Sequence, residues 1–287
     1  MPPAACPLVN AYDLLEHGFG ITGLHPHARA AMRALRQRLA ERAQALVPAA
    51  PDGVIVDLGC GSGAGTLELA EFARVPVVGV DVSADAIARA RRRTEGTAPS
   101  RVRFFKGSFE AFVAAHPGTP ILGVFSSATT MFVPDLPALY RAIARSLTPG
   151  GVFLDAPMVL VDDAEGDLAA LRDATSAVCG CAMRIETLGR LRGQVEDAGL
   201  EVVECASLRF DLMYPSVLLR EYAATDLLAV FVRQLLRPDG GLGGVSRTEL
   251  LARTFEVLRF FGGHRTRLAG GVLEATRSRG DAREGSG

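Results

Sequence analysis

The chain has 287 residues, of which 48% are apolar and 22% are charged, and its formal net charge is −1. This composition is that of a globular protein and excludes a wholly disordered chain. The balance of charges excludes a global positive field that would bind nucleic acid by charge alone. The five cysteines are odd in number and scattered, which disfavours a disulfide framework. The sequence carries neither a basic signal segment nor a long apolar run, so it predicts a cytoplasmic protein without a membrane partner.

The N-terminal part of the chain predicts a lead-in segment and a helix. Residues 1–27 are rich in proline and glycine, which favours irregular structure. Residues 28–47 then carry apolar side chains at three- and four-residue steps, the pattern of an amphipathic helix. Its other face is rich in arginine. We interpret that face as solvated surface, with nucleic-acid contact as the minor alternative because no aromatic side chains are interleaved.

Between residues 53 and 210, short apolar runs alternate with helical segments. The strands, together with a final one near the C-terminus, are predicted at 54–58, 75–80, 101–105, 121–125, 152–156, 200–208 and 268–277. The helices are predicted at 65–73, 84–93, 110–115, 136–147, 165–177 and 186–198. Strands separated by helices of roughly 10–15 residues predict βαβ units, and therefore a parallel sheet with helices on both faces.

The pattern changes after residue 210. Residues 211–262 predict two helices joined by a glycine-rich loop, and residues 263–277 predict one further strand. We therefore divide the chain into a lead-in at 1–27, an α/β core at 28–210, the helical insertion at 211–262, the final strand of the core and a flexible tail at 278–287.

The most informative segment runs from Asp57 to Gly63, with the sequence Asp-Leu-Gly-Cys-Gly-Ser-Gly. It joins the first strand to the following helix, and ligands of open α/β sheets bind at this end of the strands. The glycines allow the backbone to pass close to a ligand and to turn sharply into the helix. Their spacing departs from the dinucleotide fingerprint Gly-x-Gly-x-x-Gly.

A second candidate is Asp81, at the end of the second strand. An acid at this position can accept hydrogen bonds from both hydroxyls of a ribose. Together with the glycine segment, it predicts an adenosine-containing ligand. This pattern alone does not separate NAD from other adenosine cofactors, so an NAD-dependent oxidoreductase is an alternative at this point.

The joint pattern resembles the class I S-adenosylmethionine-dependent methyltransferases. Residues 57–63 look like their first motif, Asp81 fits their ribose-binding acid, and residues 147–152 (Leu-Thr-Pro-Gly-Gly-Val) resemble their turn motif. The resemblance covers roughly residues 30–210 and 264–277 and is nearest the branch of ubiquinone and arsenite methyltransferases. It implies a Rossmann-like fold with a seven-stranded, mostly parallel sheet, a last antiparallel strand, and S-adenosyl-L-methionine as cofactor.

The resemblance also implies which residues contact the cofactor. They are Asp57, Gly59, Cys60, Gly61, Gly63, Asp81, Val82, Ser108, Phe109 and Ser126. Ser108 stands where the family often has an acid that meets the adenine amino group, and Phe109 can pack on the adenine face. The alternative for this pair is a helix cap and a core residue. Ser126 fits the methionine end of the cofactor, or else caps the following turn.

Candidates for catalysis are few, because methyl transfer from a sulfonium depends mainly on positioning. A hydroxyl or acidic-carbon acceptor would still need a base. We predict His264, just before the last strand, and Tyr12, in a lead-in that can fold over the cofactor in this family. His25 and His27 are weaker candidates.

The insertion is predicted to bind the acceptor. Its aromatic side chains Tyr214, Tyr222 and Phe231 lie in or near two apolar helical stripes. Those helices can form a lid, make a homodimer contact or pack against the core. An apolar lid implies an acceptor with an apolar or aromatic body.

The sequence shows no clear metal-ligand spacing, so we expect transfer without a metal ion. Asp155, followed by Asp162 and Asp163, would hold Mg²⁺ only if the three acids converge. Cys60, Cys179 and Cys181 could serve as the thiols of an arsenite methyltransferase, but structural roles are favoured.

These observations predict a methyltransferase that acts on a small, largely apolar molecule. A tailoring enzyme of specialised metabolism, such as antibiotic biosynthesis, is the natural setting, with no nucleic-acid or membrane partner. The alternatives are an enzyme that binds the same cofactor and catalyses a non-methylating rearrangement, and an arsenite-type methyltransferase.

Overall fold

The computed structural model describes residues 26–95, 101–160, 184–211, 248 and 268–279. The helices in these ranges are α1 (Pro26–Gln44), α2 (Ala64–Phe72), α3 (Ala84–Thr94), α4 (Phe109–Ala115), α5 (Leu136–Ser146) and α6 (Leu188–Asp197), with a 3₁₀ turn at Thr130–Phe132. The strands are β1 (Val54–Leu58), β2 (Val77–Asp81), β3 (Val102–Lys106), β4 (Ile121–Ser127), β5 (Leu147–Ala156), β6 (Met158–Leu160), β7 (Glu186–Thr187), β8 (Glu201–Asp211) and β9 (Leu268–Thr276).

The chain separates into two compact units. Of the described residues, the larger unit takes 33–95, 101–157, 188–206 and 271–279, and the smaller takes 26–32, 158–160, 184–187, 207–211, 248 and 268–270. This division does not follow the predicted boundary at residue 210. The functional domains named from the sequence therefore stay a prediction.

The sheet of the larger unit has the strand order β3-β2-β1-β4-β5-β9. The first five strands pair in parallel, and β9 pairs antiparallel with β5. The predicted α/β class, with a mostly parallel sheet and an antiparallel last strand, is confirmed. From β1 the chain continues to β2 on one side, and β4 adds on the other side. The strand order therefore reverses beside β1, which is where open α/β sheets bind their ligands.

The structure adds two short strands to those predicted. In the smaller unit, β6 pairs antiparallel with residues 268–270 of β9 and parallel with β7. These strands have three and two residues, which is too short for a periodic pattern to reveal. In the larger unit, β5 begins at Leu147 instead of 152, because Leu147 already pairs with Ile121 ahead of an irregularity in the ladder.

Two neighbouring rows of side chains cross the carboxyl end of the sheet in the larger unit. Residues that lie opposite each other in the ladder share a face, and the next residue along each strand points to the other face. The first row contains Asp57, Phe125, Leu154 and Glu274. The second row contains Leu58, Ser126, Asp155 and Leu273. The first row faces α1, and the second lies on the face covered by α5.

Three arginines of helix α1 pair with acids of α2 and β9. Arg36 is only 11% exposed and pairs with Glu68, while Arg38 and Arg42 both pair with Glu274, whose side chain is 2% exposed. The interpretation of this face as solvated surface is therefore wrong for Arg36 and Arg38. The helical period shows that arginines share a face, but it cannot show that acids of distant strands lie opposite them.

Candidate functional site

The turn after β1 contains three glycines with left-handed backbone. Gly59, Gly61 and Gly63 have φ angles of 70°, 53° and 80°. Residues with a side chain adopt such angles at a cost, which explains the three glycines. The N–H groups of Gly59 and Cys60 donate to the carbonyl oxygen of Val80 at 2.7 and 3.2 Å. The turn is thereby fixed to the end of β2.

The loop after β4 lies against this turn. A Cβ atom added to Gly59 would lie 2.1 Å from Oγ1 of Thr129, so only glycine fits there. Ala128 has left-handed backbone with φ 52°, and its N–H donates to the carbonyl oxygen of Ala156 at 3.0 Å. The left-handed alanine and the close approach to Gly59 mark this loop as a constrained part of the structure.

Asp81 ends β2 beside the glycine turn. Its carboxyl accepts the N–H of Gly61 at 3.0 Å and the N–H of Ser83 at 2.8 Å, and the residue is 6% exposed. Burial raises the pKa of this carboxyl, while the two N–H groups and Arg89 lower it. A carboxylate has about four lone-pair sites, so two accepted bonds leave capacity for further donors such as ribose hydroxyls.

Val82 follows Asp81 and is 66% exposed, although it is a large apolar side chain. An exposed apolar side chain next to the acid that is predicted to bind ribose is suited to cover the plane of an adenine ring. The glycine turn, the buried acid and this exposed valine fit the adenosine part of S-adenosylmethionine. Asp81, Gly61 and Val82 are the residues that would hold it.

Asp57 lies beneath the turn. It is 5% exposed, and its carboxyl accepts the hydroxyl of Thr66 in α2 at 2.6 Å. Burial raises the pKa of Asp57, and the positive charge of Arg36 lowers it. The guanidinium of Arg36 also lies 5.1 Å from the centroid of the Phe125 ring. Asp57 thus ties β1 to α2, and Arg36 is a supporting residue that the sequence analysis missed.

Cys60 and the residues after β3 have structural contacts. Cys60 is 8% exposed, and burial raises the pKa of its thiol, which favours the structural role over a reactive one. The hydroxyl of Ser108 accepts the N–H of Ala111 at 3.2 Å and caps α4, and Phe109 is 1% exposed. These contacts correspond to the alternative of a helix cap and a core residue. Contact of either residue with adenine stays a prediction.

Ser126 and Asp155 are opposite each other in the second row, and both are fully buried. The hydroxyl of Thr130 donates to Oδ2 of Asp155 at 2.8 Å. Burial raises the pKa of Asp155 from its ordinary 3.8 to about 7, although the hydroxyls of Thr130 and Ser126 lower it. Among the described residues, no group of three or more His, Cys, Asp or Glu could hold a metal ion. Asp162 and Asp163 lie outside the described residues, so the metal-free reaction stays a prediction.

The raised pKa makes stability depend on pH. Asp155 binds a proton more tightly in the folded state than in the unfolded state. Its contribution to the free energy of unfolding is therefore fully present below about pH 4 and is lost as the pH rises to about 7. Over that window we expect the free energy of unfolding to fall by up to about 1.4 kcal/mol per pH unit more in the wild type than in Asp155→Asn. Urea unfolding at pH 5 and pH 7 measures this difference. The same pH dependence of stability in the two proteins would contradict a raised pKa of Asp155.

The remaining predicted residues cannot be placed. Tyr12, Tyr214, Tyr222, Phe231, His264, Cys179, Cys181 and His25 lie outside the described residues. His27 falls within α1. The catalytic and acceptor-binding assignments therefore stay predictions, and none of the helices in the described ranges is long and apolar enough to cross a bilayer.

The strand order and the left-handed glycine turn that leads from β1 into α2 define a Rossmann-like α/β domain. Residues 55–151 match the family described as methyltransferase domain. The chain is 33% identical over 147 residues to the sterol 24-C-methyltransferase of Aspergillus fumigatus, covering 50% of this chain and 38% of that protein. It spans about two fifths of the length of the curated relatives it matches.

Two solved structures share the fold. A protein assigned as a sarcosine dimethylglycine methyltransferase of Galdieria sulphuraria has a TM-score of 0.64 at 15% identity, covering 94% of this chain and 98% of that one. The [4+2]-cyclase SpnF has a TM-score of 0.56 at 18% identity, covering 84% and 81%. Residues 55–151 are thus similar to a methyltransferase domain, and the solved structures share its fold. The predicted cofactor, S-adenosyl-L-methionine, agrees with this match to a methyltransferase domain.

Proposed function

We propose that the protein is an S-adenosylmethionine-dependent methyltransferase. The observation that supports this most is the arrangement of Asp81 at the glycine turn. Its buried carboxyl accepts the N–H of Gly61 and lies next to the exposed Val82. A ribose and an adenine can be held there together, within a domain whose family model is that of a methyltransferase.

The protein contributes binding and orientation to the reaction. When bound, the cofactor supplies a methyl group on a positively charged sulfur. Asp81 would hold the ribose hydroxyls, and the glycine turn would let the backbone approach the ligand closely. Holding donor and acceptor in line accounts for much of the acceleration in such a transfer. Tyr12 and His264 stay the proposed bases for an acceptor that must lose a proton.

The proposed acceptor is a small, largely apolar molecule, with no metal ion in the reaction. Relatives named for a sterol and for trans-aconitate support a small-molecule acceptor. The aromatic residues Tyr214, Tyr222 and Phe231 are proposed to contact its apolar body. A cytoplasmic tailoring enzyme of specialised metabolism, such as antibiotic biosynthesis, is the setting that we propose.

A second candidate function is a rearrangement that keeps the cofactor without using its methyl group. It is supported by the occurrence of the fold in a [4+2]-cyclase, because a fold alone does not fix the reaction. The two functions differ in the mass of the product. A methyltransferase adds one methylene unit to the acceptor and releases S-adenosylhomocysteine, whereas a cyclase leaves the mass of its substrate unchanged.

We expect Asp81→Ala to bind S-adenosylmethionine about ten- to a hundredfold more weakly than the wild type. The variant loses hydrogen bonds to a charged acceptor, which are worth roughly 1.5–3 kcal/mol. Isothermal titration calorimetry measures the affinity, and NAD serves as the comparison ligand. Tighter binding of NAD than of S-adenosylmethionine would contradict the proposed function.

The matched control is Asp85→Ala. Asp85 is an exposed acid in the first turn of α3, four residues along the chain from Asp81. Its removal changes the net charge by the same amount without touching the glycine turn. Equal losses of affinity in the two variants would show a general charge effect instead of a ribose contact.

A further inference from the structure

A fully buried carboxyl lies at the carboxyl end of the sheet without a role in the proposed reaction. Asp155 is 0% exposed, and the strand register places it directly beside Ser126. Thr130, which is 1% exposed, donates its hydroxyl to Oδ2 of the carboxyl at 2.8 Å. The cluster joins β5 to the end of β4 and to the 3₁₀ turn that follows it.

Two buried polar atoms of this cluster are not hydrogen-bonded to any described residue. Among the described residues, neither Oδ1 of Asp155 nor Oγ of Ser126 has a hydrogen-bond partner, and both atoms are buried. The Ser126 hydroxyl nevertheless lowers the pKa of the Asp155 carboxyl, although the two groups do not have the geometry of a hydrogen bond. An acid that is buried with an unsatisfied oxygen is costly, and an apolar residue would pack there at lower cost. The cluster therefore calls for an explanation beyond packing.

A short path of contacts connects this cluster to the glycine turn. Thr130 follows Thr129, and Thr129 fills the space where a Cβ of Gly59 would lie. On the other side, the N–H of Ala128 donates to Ala156, the residue after Asp155. Within the loop of residues 127–132, Ala128 and Thr130 are thus hydrogen-bonded to β5, and Thr129 between them contacts the glycine turn.

We propose that Asp155 is a positioning residue for the cofactor, which holds the loop of residues 127–132 against the glycine turn through Thr130. This inference rests on the proposed function, because it takes the glycine turn as the site of S-adenosylmethionine. Asp155 does not itself touch the ligand, since its carboxyl is fully buried.

The strength of the hydrogen bond from Thr130 depends on the charge of the Asp155 carboxyl. A carboxylate accepts stronger hydrogen bonds from hydroxyls than a neutral acid does. The polar groups that act on it are Thr130, Ser126 and the backbone N–H of Ala156. The ring of Tyr140 in α5 packs on Phe153 on the same face, while Glu274 of β9 and its partner Arg38 lie on the opposite face. Ionisation near pH 7 should therefore tighten the site.

The test is the affinity for S-adenosylhomocysteine, a probe that reports binding without turnover. We expect the wild type to bind it about fivefold more tightly at pH 8 than at pH 6, by isothermal titration calorimetry. Asp155→Asn and Thr130→Val should lose this pH dependence. Asp135→Asn is the control, because Asp135 caps α5 through the N–H of Ala138 and should leave the dependence unchanged.

The outcomes separate the two proposals. Binding that is equally strong at pH 6 and pH 8 in the wild type would overturn the positioning role and leave the proposed function standing. A pH dependence that persists in Asp155→Asn, or in Thr130→Val if the first variant does not fold, would also overturn it. No binding of S-adenosylhomocysteine at either pH would overturn both.

Discussion

Replacing Gly59 by alanine should destabilise the protein by about 2–5 kcal/mol and abolish detectable binding of S-adenosylmethionine. The left-handed backbone at φ 70° costs a residue with a side chain about 1–2 kcal/mol. The new Cβ would also lie 2.1 Å from Oγ1 of Thr129, and such overpacking costs about 1–3 kcal/mol. Urea unfolding measures the first effect, and calorimetry with S-adenosylmethionine measures the second.

Two further variants separate the strain from the clash. Gly118 has φ 79° with nothing within 4 Å of an added Cβ, so Gly118→Ala carries only the backbone cost and should leave cofactor binding intact. In the Gly59→Ala background, Thr129→Gly removes the clashing atoms and should restore part of the stability. Equal losses at 59 and 118, with no rescue, would show that the loop after β4 does not press on the glycine turn.

The double replacement of Arg38 and Arg42 by leucine should lower the free energy of unfolding by about 3 kcal/mol. It leaves the carboxylate of Glu274, which is 2% exposed, without its two cations at 3.0 and 2.7 Å. Breaking a buried pair from one side costs about 3–5 kcal/mol, and the partial exposure of both arginines places this case at the lower end. Urea denaturation at neutral pH measures the loss.

Two comparison variants test this prediction: Arg192→Leu, and the triple variant that adds Glu274→Leu to the double replacement. Arg192 pairs with Glu196 on the surface of α6, with side chains 56% and 45% exposed, so its replacement should change stability little. Adding Glu274→Leu to the double variant removes the stranded charge and should recover part of the loss. A double variant that is as stable as Arg192→Leu would rule out a stabilising role for the Glu274 cluster.

The features that the sequence predicted are those with local causes. Strands β1 and β2 are buried at every residue, and each begins with an apolar run that ends at an acid, Asp57 or Asp81. The helix cap of α3 has the residue type that local sequence favours, since the hydroxyl of Ser83 accepts the N–H of Ala86 at 3.1 Å. The three glycines of the turn were predicted from their spacing after a strand, and all three have positive φ.

The features that the sequence did not predict depend on which strands become neighbours. Arg36 lies near Asp57 only because α1 covers the face of the sheet to which Asp57 points. Thr129 meets Gly59 only because β4 adds next to β1. Neither contact leaves a periodic pattern along the chain. The predicted acceptor contacts Tyr214, Tyr222 and Phe231 lie outside the described residues.

The pairing of Arg38 and Arg42 with Glu274 has a consequence for the order of events during synthesis. The two arginines leave the ribosome early, while their acid partner follows more than 200 residues later along the chain. Helix α1 can form as soon as it emerges, but its charged face has no complete set of partners until β9 has been made. Contacts between such distant residues form slowly, because a long loop must close first. A nascent chain that stops short of Glu274 should therefore hold α1 less firmly, because Arg38 and Arg42 still lack this acid.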